Sequence, residues 1–302
     1  MRRFWLSLLL LCAAWTARAQ DRDFSKVEIK VIPVAPGISV LMGAGGNILV
    51  STGPDGVFLI DDQFAPLLPK IRAAVRTLSD KPIRFVVNTH WHGDHVGGNL
   101  GLAETGTVIV AQDNVRKRLS TDQFNPEKHP ALPAKALPIV TFGDGVNFHF
   151  NGDDIEVRHV AAAHTDGDSI IRFRKANVVH MGDTLFNGTY PFIDVDTGGS
   201  IDGIVAAADQ VLTTIDDRTR VICGHGEVGG KAELKAYREV MAGTRDRVKA
   251  LIASGKTLEQ ILAAKPTAQW DATWGTGSAK PDFFVGMVYR SLTGSRSSTG
   301  PK

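Results

Sequence analysis

Asn88-Thr89-His90-Trp91-His92-Gly93-Asp94-His95 packs three histidines and one aspartate into six consecutive positions, 90 to 95. The cluster follows Ile83-Arg84-Phe85-Val86-Val87, a short apolar, β-branched run that predicts a buried strand. Imidazole nitrogens and carboxylate oxygens are the donors zinc takes where no thiolate is offered. His90 and His92 are separated by one residue, so an extended segment points both to the same side. A bend at Gly93 would aim Asp94 and His95 elsewhere, toward a second ion. Parallel sheets place their sites just past strand ends, which is where this cluster lies.

Upstream, residues 27–60 alternate strand-like runs (38–42, 47–52 and 57–60) with Gly/Pro/Asp turns, the pattern of an antiparallel meander. Asp61-Asp62 closes the third run and reads as a turn; its other available role is to orient a ligand histidine from behind. Residues 66–78 carry Leu67, Leu68, Ile71, Val75 and Leu78 at helical spacing. The order strand, helix, strand makes a parallel pair. Downstream come a strand at 107–111 and a helix at 113–119. The proline-rich stretch 124–138 reads as a surface loop bordering the pocket, with His129 solvated.

A second set of strands is expected at 139–142, 146–150, 155–160, 169–174 and 177–180. A helix at 201–215, a strand at 219–223 and a helix at 231–252 come next, then shorter helices at 258–264 and 281–292. Strands followed by helices thus occur twice, which suggests two similar halves packed sheet on sheet with helices outside.

The chain has 302 residues, 43% hydrophobic and 22% charged, enough for one large domain with its own core. Arg2 and Arg3 precede the apolar run 4–14, and Ala17-Arg18-Ala19 offers small residues at a cleavage point. Residues 1–19 are therefore expected to be a signal peptide, 20–293 a single domain, and the Ser/Gly-rich residues 294–302 a disordered tail. The first apolar run is short for a membrane span, and no later run is long enough, so no stable membrane insertion is expected. Cys12 follows leucines, not the small residues of a lipoprotein cleavage site. Cleavage would remove three arginines and change the formal net charge from +2 to −1. A near-neutral protein has no electrostatic footprint for nucleic acid, and a small-molecule substrate is the expected partner. Cys223 would be left alone, so no intramolecular disulfide can form, although a periplasmic or secreted location is oxidising.

Three later positions carry metal-ligand chemistry where a strand exits beside glycine. They are His164 in Ala163-His164-Thr165-Asp166-Gly167, Asp183 in Met181-Gly182-Asp183-Thr184, and His225 in Gly224-His225-Gly226. A lone histidine in a turn says little; several converging on one sheet edge say much more. Taken with His90-Trp91-His92-Gly93-Asp94-His95, this set resembles the metallo-β-lactamase superfamily of metallohydrolases, in order and spacing, over most of the mature chain. The resemblance implies an α/β fold, a four-layer αββα sandwich, and a binuclear centre, usually zinc. One Zn2+ ion would be held by His90, His92 and His164, and the other by Asp94, His95 and His225. Asp183, together with a water or hydroxide, would bridge the two ions.

The donor chemistry agrees. The set exceeds the roughly three or four protein ligands one zinc takes at a catalytic site. A water shared by two dications ionises near neutral pH, and its hydroxide would attack a carbonyl carbon. Asp94 would orient that water or relay its proton. The chain thus reads as an exported dizinc hydrolase of an ester, lactone, thioester or amide bond.

Two alternatives stand beside this reading. A β-lactamase would share the export signal and zinc. Yet the best-known subclass has cysteine where this chain has Asp183, and a drug-binding lysine where it has Phe186. A non-catalytic metal-binding protein of the cell envelope would use the same ligands without turnover. Iron-using oxidoreductase members commonly carry a carboxylate at the position of His92. Of the other candidates, His159 and His180 read as packing or supporting groups, His149 as solvent-facing, and Cys223 as a buried, inert thiol. Trp91 would wedge the loop or pack beneath it. The aromatic stretch 185–192 is expected to line the pocket, with Tyr190 as a possible hydrogen-bond donor to substrate.

Overall fold

A computed structural model describes residues 23–124 and 128–294. The expected signal peptide and all but the first residue of the expected tail lie outside the described residues.

β1 (Lys30–Ala35), β2 (Ile38–Met42), β3 (Ile48–Gly53) and β4 (Gly56–Ile60) form an antiparallel meander, and β5 (Ile83–Val87) and β6 (Val108–Gln112) extend it in parallel. A ribbon of β7 (Gln123–Phe124) and β8 (Lys128–His129) leaves this sheet, and β9 (Val140–Phe142) returns to pair with β6 in parallel. The second sheet runs β10 (Gly145–Phe150), β11 (Asp153–His159), β12 (Ser169–Phe173) and β13 (Val178–His180), all antiparallel, with β14 (Arg220–Ile222) parallel to β13. The helices are α1 (Leu68–Leu78), α2 (Gly93–Val96), α3 (Asn99–Ala103), α4 (Asp113–Leu119), α5 (Ile201–Leu212), α6 (Lys231–Ala253), α7 (Leu258–Ala263), α8 (Asp271–Trp274) and α9 (Pro281–Thr293).

Period-two burial in the strands builds the layers. Phe58 and Ile60 of β4 join Val40, Leu49, Ile155, Val157, Ile171 and Phe173 in the core between the sheets. Val57 and Leu59 face the other way, onto Ile71 and Val75 of α1. The outer face of the second sheet, through Ile170, Val179 and Val221, packs on Ile204 of α5, Tyr237 of α6 and Phe284 of α9. Each fully buried side chain of this size contributes about 1.5–3 kcal/mol of hydrophobic stabilisation. The result is the expected four-layer αββα sandwich.

Some boundaries differ for local reasons. The expected helix at 66–78 begins with a separate 3-10 turn, Ala65–Leu67, because Pro66 and Pro69 lack the N–H groups a continuous first turn would use. The one-turn helices α2, α3 and α8 are too short to show a helical period in sequence. The expected helix at 201–215 stops at Leu212.

Candidate metal centre

Every ligand candidate sits just past a strand end. The 90–95 cluster follows β5, His164 follows β11, Asp183 follows β13 and His225 follows β14. His92 is extended (φ −65°, ψ 144°), and Gly93 then starts α2, so Asp94 and His95 turn away from the His90 and His92 pair. Donor atoms of His90, His92, His164 and Asp183 gather within 4.8 Å of one another, and those of Asp94, His95 and His225 form a second such group.

Asp183 stands between the groups. Its Oδ1 is 3.2 Å from His95 Nε2, and its Oδ2 is 3.4 Å from His225 Nε2 and 3.5 Å from His164 Nε2. Asp94 Oδ2 is 3.3 Å from His225 Nε2. His164 Nε2 and His92 Nδ1 are 2.9 Å apart. Two nitrogen lone pairs that close, in a buried place, call for a shared cation or a proton. Buried His90 Nε2 has no hydrogen-bond partner among the described residues. A divalent ion would satisfy it, so the residues present fit a metal.

The far ring nitrogens are held from behind. His95 Nδ1 lies 2.7 Å from Asp61 Oδ2, His92 Nε2 is 2.9 Å from Asp194 Oδ2, and His164 Nδ1 is 2.8 Å from the Phe192 carbonyl oxygen. Such partners fix each ring's tautomer and turn the other nitrogen inward as a donor to metal. Asp168 accepts the backbone N–H groups of His164 and Thr165 at 2.6 and 2.8 Å, which fixes that turn.

Electrostatics match the geometry. Burial raises the Asp183 carboxyl, but facing His225 and His95 outweighs this and holds it well below the usual range. Burial lowers His225, yet the charge of Asp183 prevails and pushes it up to about 9. His164 is lowered to about 4, chiefly by burial.

Two glycines allow the close approach. A Cβ on Gly46 would sit 2.0 Å from His95 Cε1, and one on Gly224 would sit 1.8 Å from Asp183 Oδ1. Asn47 ties the two sheets at this rim. Its Nδ2 donates to the carbonyls of Cys223 and Gly226 at 3.0 and 2.9 Å, and its own carbonyl lies 3.0 Å from His180 Nε2.

The remaining candidates fall outside the centre. His180 is buried and supports the Asp183 loop, its Nδ1 accepting from Gly182 N at 3.1 Å. His159 Nδ1 is 2.9 Å from the Asp168 carbonyl, and His149 is exposed beside Asp154 at 2.7 Å. His129 is exposed and its ring contacts Trp91. Trp91 is buried among Val96, Ala111 and Val115, packing beneath the loop. Burial pushes the Cys223 thiol up to about 12, which makes it inert.

Tyr190 corrects an expectation. It stacks on Phe284 at 4.6 Å and donates its hydroxyl to Asp271 at 2.8 Å, with 1% of its surface exposed. It faces the C-terminal helices, not the cleft; Phe186, Asn187, Thr189 and Phe192 of the same stretch do line the cleft above the cluster. Sequence reasoning missed Asp194 and Asp168. Asp61 fills both roles the sequence offered it, a turn residue (φ 63°) and a support behind a ligand histidine.

The sheet sandwich thus carries on its rim a His/Asp cluster able to hold metal. The metallo-beta-lactamase superfamily profile matches residues 34–225. A hydroxyacylglutathione hydrolase of Erythrobacter litoralis is 26% identical over 226 residues, 68% of this chain and 78% of that protein. The structure of the DIM-1 metallo-beta-lactamase superimposes with a TM-score of 0.59 and 20% identity, covering 72% of this chain and 99% of that one. A sec-alkylsulfatase from Pseudomonas sp. superimposes with a TM-score of 0.67 and 18% identity over 90% of this chain, which spans 51% of the sulfatase's length. At these identities the two structures speak for the fold. The chain belongs to the metallo-β-lactamase superfamily, and it is a metal-dependent hydrolase of that superfamily.

Proposed function

We propose that the protein is an exported hydrolase that binds two zinc ions and cleaves an acyl bond: ester, lactone, thioester or amide. The observation that carries this reading is the position of Asp183, buried between two groups of donors at the floor of an open cleft. His90, His92 and His164 would hold one ion, Asp94, His95 and His225 the other, with Asp183 shared. When bound, the ions supply Lewis acidity and lower the pKa of a water.

The chain's own residues do the rest. Asp94 borders the cleft, and although burial raises its carboxyl, His95 and His225 hold it far below the usual range. It is therefore ionised at neutral pH and accepts a hydrogen bond from the attacking water, orienting it for attack. Asp61, Asp194 and the Phe192 carbonyl keep the histidines in place while charge builds up on the substrate. Phe186 and Phe192 shield one side of the cleft from bulk water.

The test is a side-by-side assay of metal-loaded mature protein on ester, lactone, thioester and β-lactam probes, with and without chelator. Chelator-sensitive turnover of an acyl probe that Asp94→Ala nearly abolishes is the expected result. Stoichiometric metal without turnover of any probe would favour a metal-binding protein over an enzyme. Cell fractionation with N-terminal sequencing tests export; a start near Gln20 in the envelope fraction is expected.

A further inference from the structure

The cleft above the metal cluster is lined by the cluster's own side chains together with Ala44, Phe186, Asn187, Thr189, Phe192, Gly226 and Ser278. Beyond the cluster, every one of these is uncharged. No lysine or arginine lines the cleft among the described residues, so no fixed cation is placed there to pair with a carboxylate on a substrate.

The wall is aromatic instead. Phe186 stacks on His225 with ring centroids 5.0 Å apart, and Phe192 lies 6.0 Å from His92 and 6.1 Å from His164. Phe283, on the first turn of α9, stacks on Phe192 at 6.2 Å and 17°. Phe283 is 54% exposed, one of few large apolar side chains open to solvent among the described residues. The pair forms a flat apolar ledge leading outward from the metal cluster.

The loop carrying Phe192 is pinned to the C-terminal helices at several points. Met287 Sδ accepts from Ile193 N at 3.3 Å, Ser291 Oγ accepts from Ile201 N at 3.0 Å, and Arg290 pairs with Asp196 at 2.5 Å. A preorganised apolar surface beside a polar centre binds a tail with little ordering cost.

We propose that the site takes an uncharged acyl substrate whose apolar tail lies across Phe192 and Phe283. This rests on the hydrolase reading above and narrows its substrate class. A tail on this ledge would cover the exposed ring of Phe283, whereas a tail ending in a carboxylate would lose hydration and gain no partner.

Alkyl hydroxamates test this without turnover, because their head, neutral in solution near pH 7, releases its N–OH proton and chelates zinc as the hydroxamate, and their tail is adjustable. Calorimetry on the zinc-loaded protein compares aceto-, butyro-, hexano- and octanohydroxamate with suberic monohydroxamate, which ends in a carboxylate. Affinity should rise roughly two- to fourfold per added methylene. The carboxylate-ended compound should bind roughly tenfold or more weakly than octanohydroxamate. Phe283→Ala should flatten the chain-length series. Phe283→Lys, a surface change, should reverse the preference in favour of the carboxylate tail. A flat series in the wild type, or equal binding of the two eight-carbon compounds, would overturn the inference and leave the metal reading standing. Failure of acetohydroxamate itself to bind would overturn the metal reading and this inference with it.

Discussion

Asp61 Oδ2 lies 2.7 Å from His95 Nδ1, and the same oxygen accepts the Thr89 hydroxyl at 2.8 Å. Thr89 Oγ1 is in turn 3.0 Å from His90 Nδ1. Because its O–H donates to Asp61, that hydroxyl accepts from His90 Nδ1. One carboxylate at the end of β4 therefore sets the tautomer of a histidine in each half of the centre, leaving both Nε2 atoms free for metal.

Asp61→Ala should accordingly weaken binding of both ions, by roughly 10- to 100-fold in chelator competition. It also strands buried donors on Thr89 and His95, a loss of about 1–3 kcal/mol visible in thermal unfolding. Unchanged metal affinity would show that the histidines orient themselves.

The metal-free protein should lose stability as pH rises from about 6.5, the ordinary histidine value, through about 9, the value to which Asp183 pushes His225. The sign follows from linkage: a group with a raised folded pKa stabilises fully below its unfolded pKa and ceases to as pH passes its folded pKa. Zinc should flatten this profile, since it replaces the proton as the counter-charge to Asp183, and loading should release protons. Melting curves of the chelated and loaded protein over this range check it. Identical profiles would contradict it.

Gly224→Ala places a methyl group 1.8 Å from Asp183 Oδ1. Its φ is not positive, but the same methyl would meet Gly182 C at 2.8 Å and Asp183 N at 2.9 Å, so the Asp183 turn itself must shift. The variant should fold yet lose zinc affinity by more than roughly tenfold, the scale on which displaced supporting groups act at metal sites. Metal content after dialysis, beside a circular dichroism spectrum, separates the two effects.

Tyr190→Phe should leave kcat unchanged and lower stability by about 1 kcal/mol, since it removes a part-buried hydrogen bond to Asp271 from a side chain that does not line the cleft. A large fall in kcat would return Tyr190 to the cleft.

Much of this architecture is legible in the sequence because local rules act on it strongly. The run 83–87 and the donors of 90–95 lie together, and glycine beside Asp183 and His225, and three residues past His164, marks strand exits. Their convergence at one rim is what the family resemblance implies; in the structure β11 and β13, separated by antiparallel β12, run the same way, so His164 and Asp183 leave at the same edge. The supporting groups are another matter. Asp194 lies 102 residues from His92, which it holds. Nothing in its surroundings marks it off from Asp196, which pairs with Arg290. Tyr190 was misplaced because neighbours in an irregular loop face opposite ways without a fixed period. Phe192 turns to the cleft, while Tyr190 turns to Phe284 of α9.

The central claim is that Asp183 is shared by two zinc ions, and elemental analysis of purified, dialysed protein tests it most directly. Wild-type protein should hold two equivalents of zinc per chain. Asp183→Ala should retain fewer than wild type, while His149→Ala, far from the centre, should keep both. Wild-type protein without stoichiometric transition metal, or an Asp183→Ala variant that still holds two equivalents, would contradict the account.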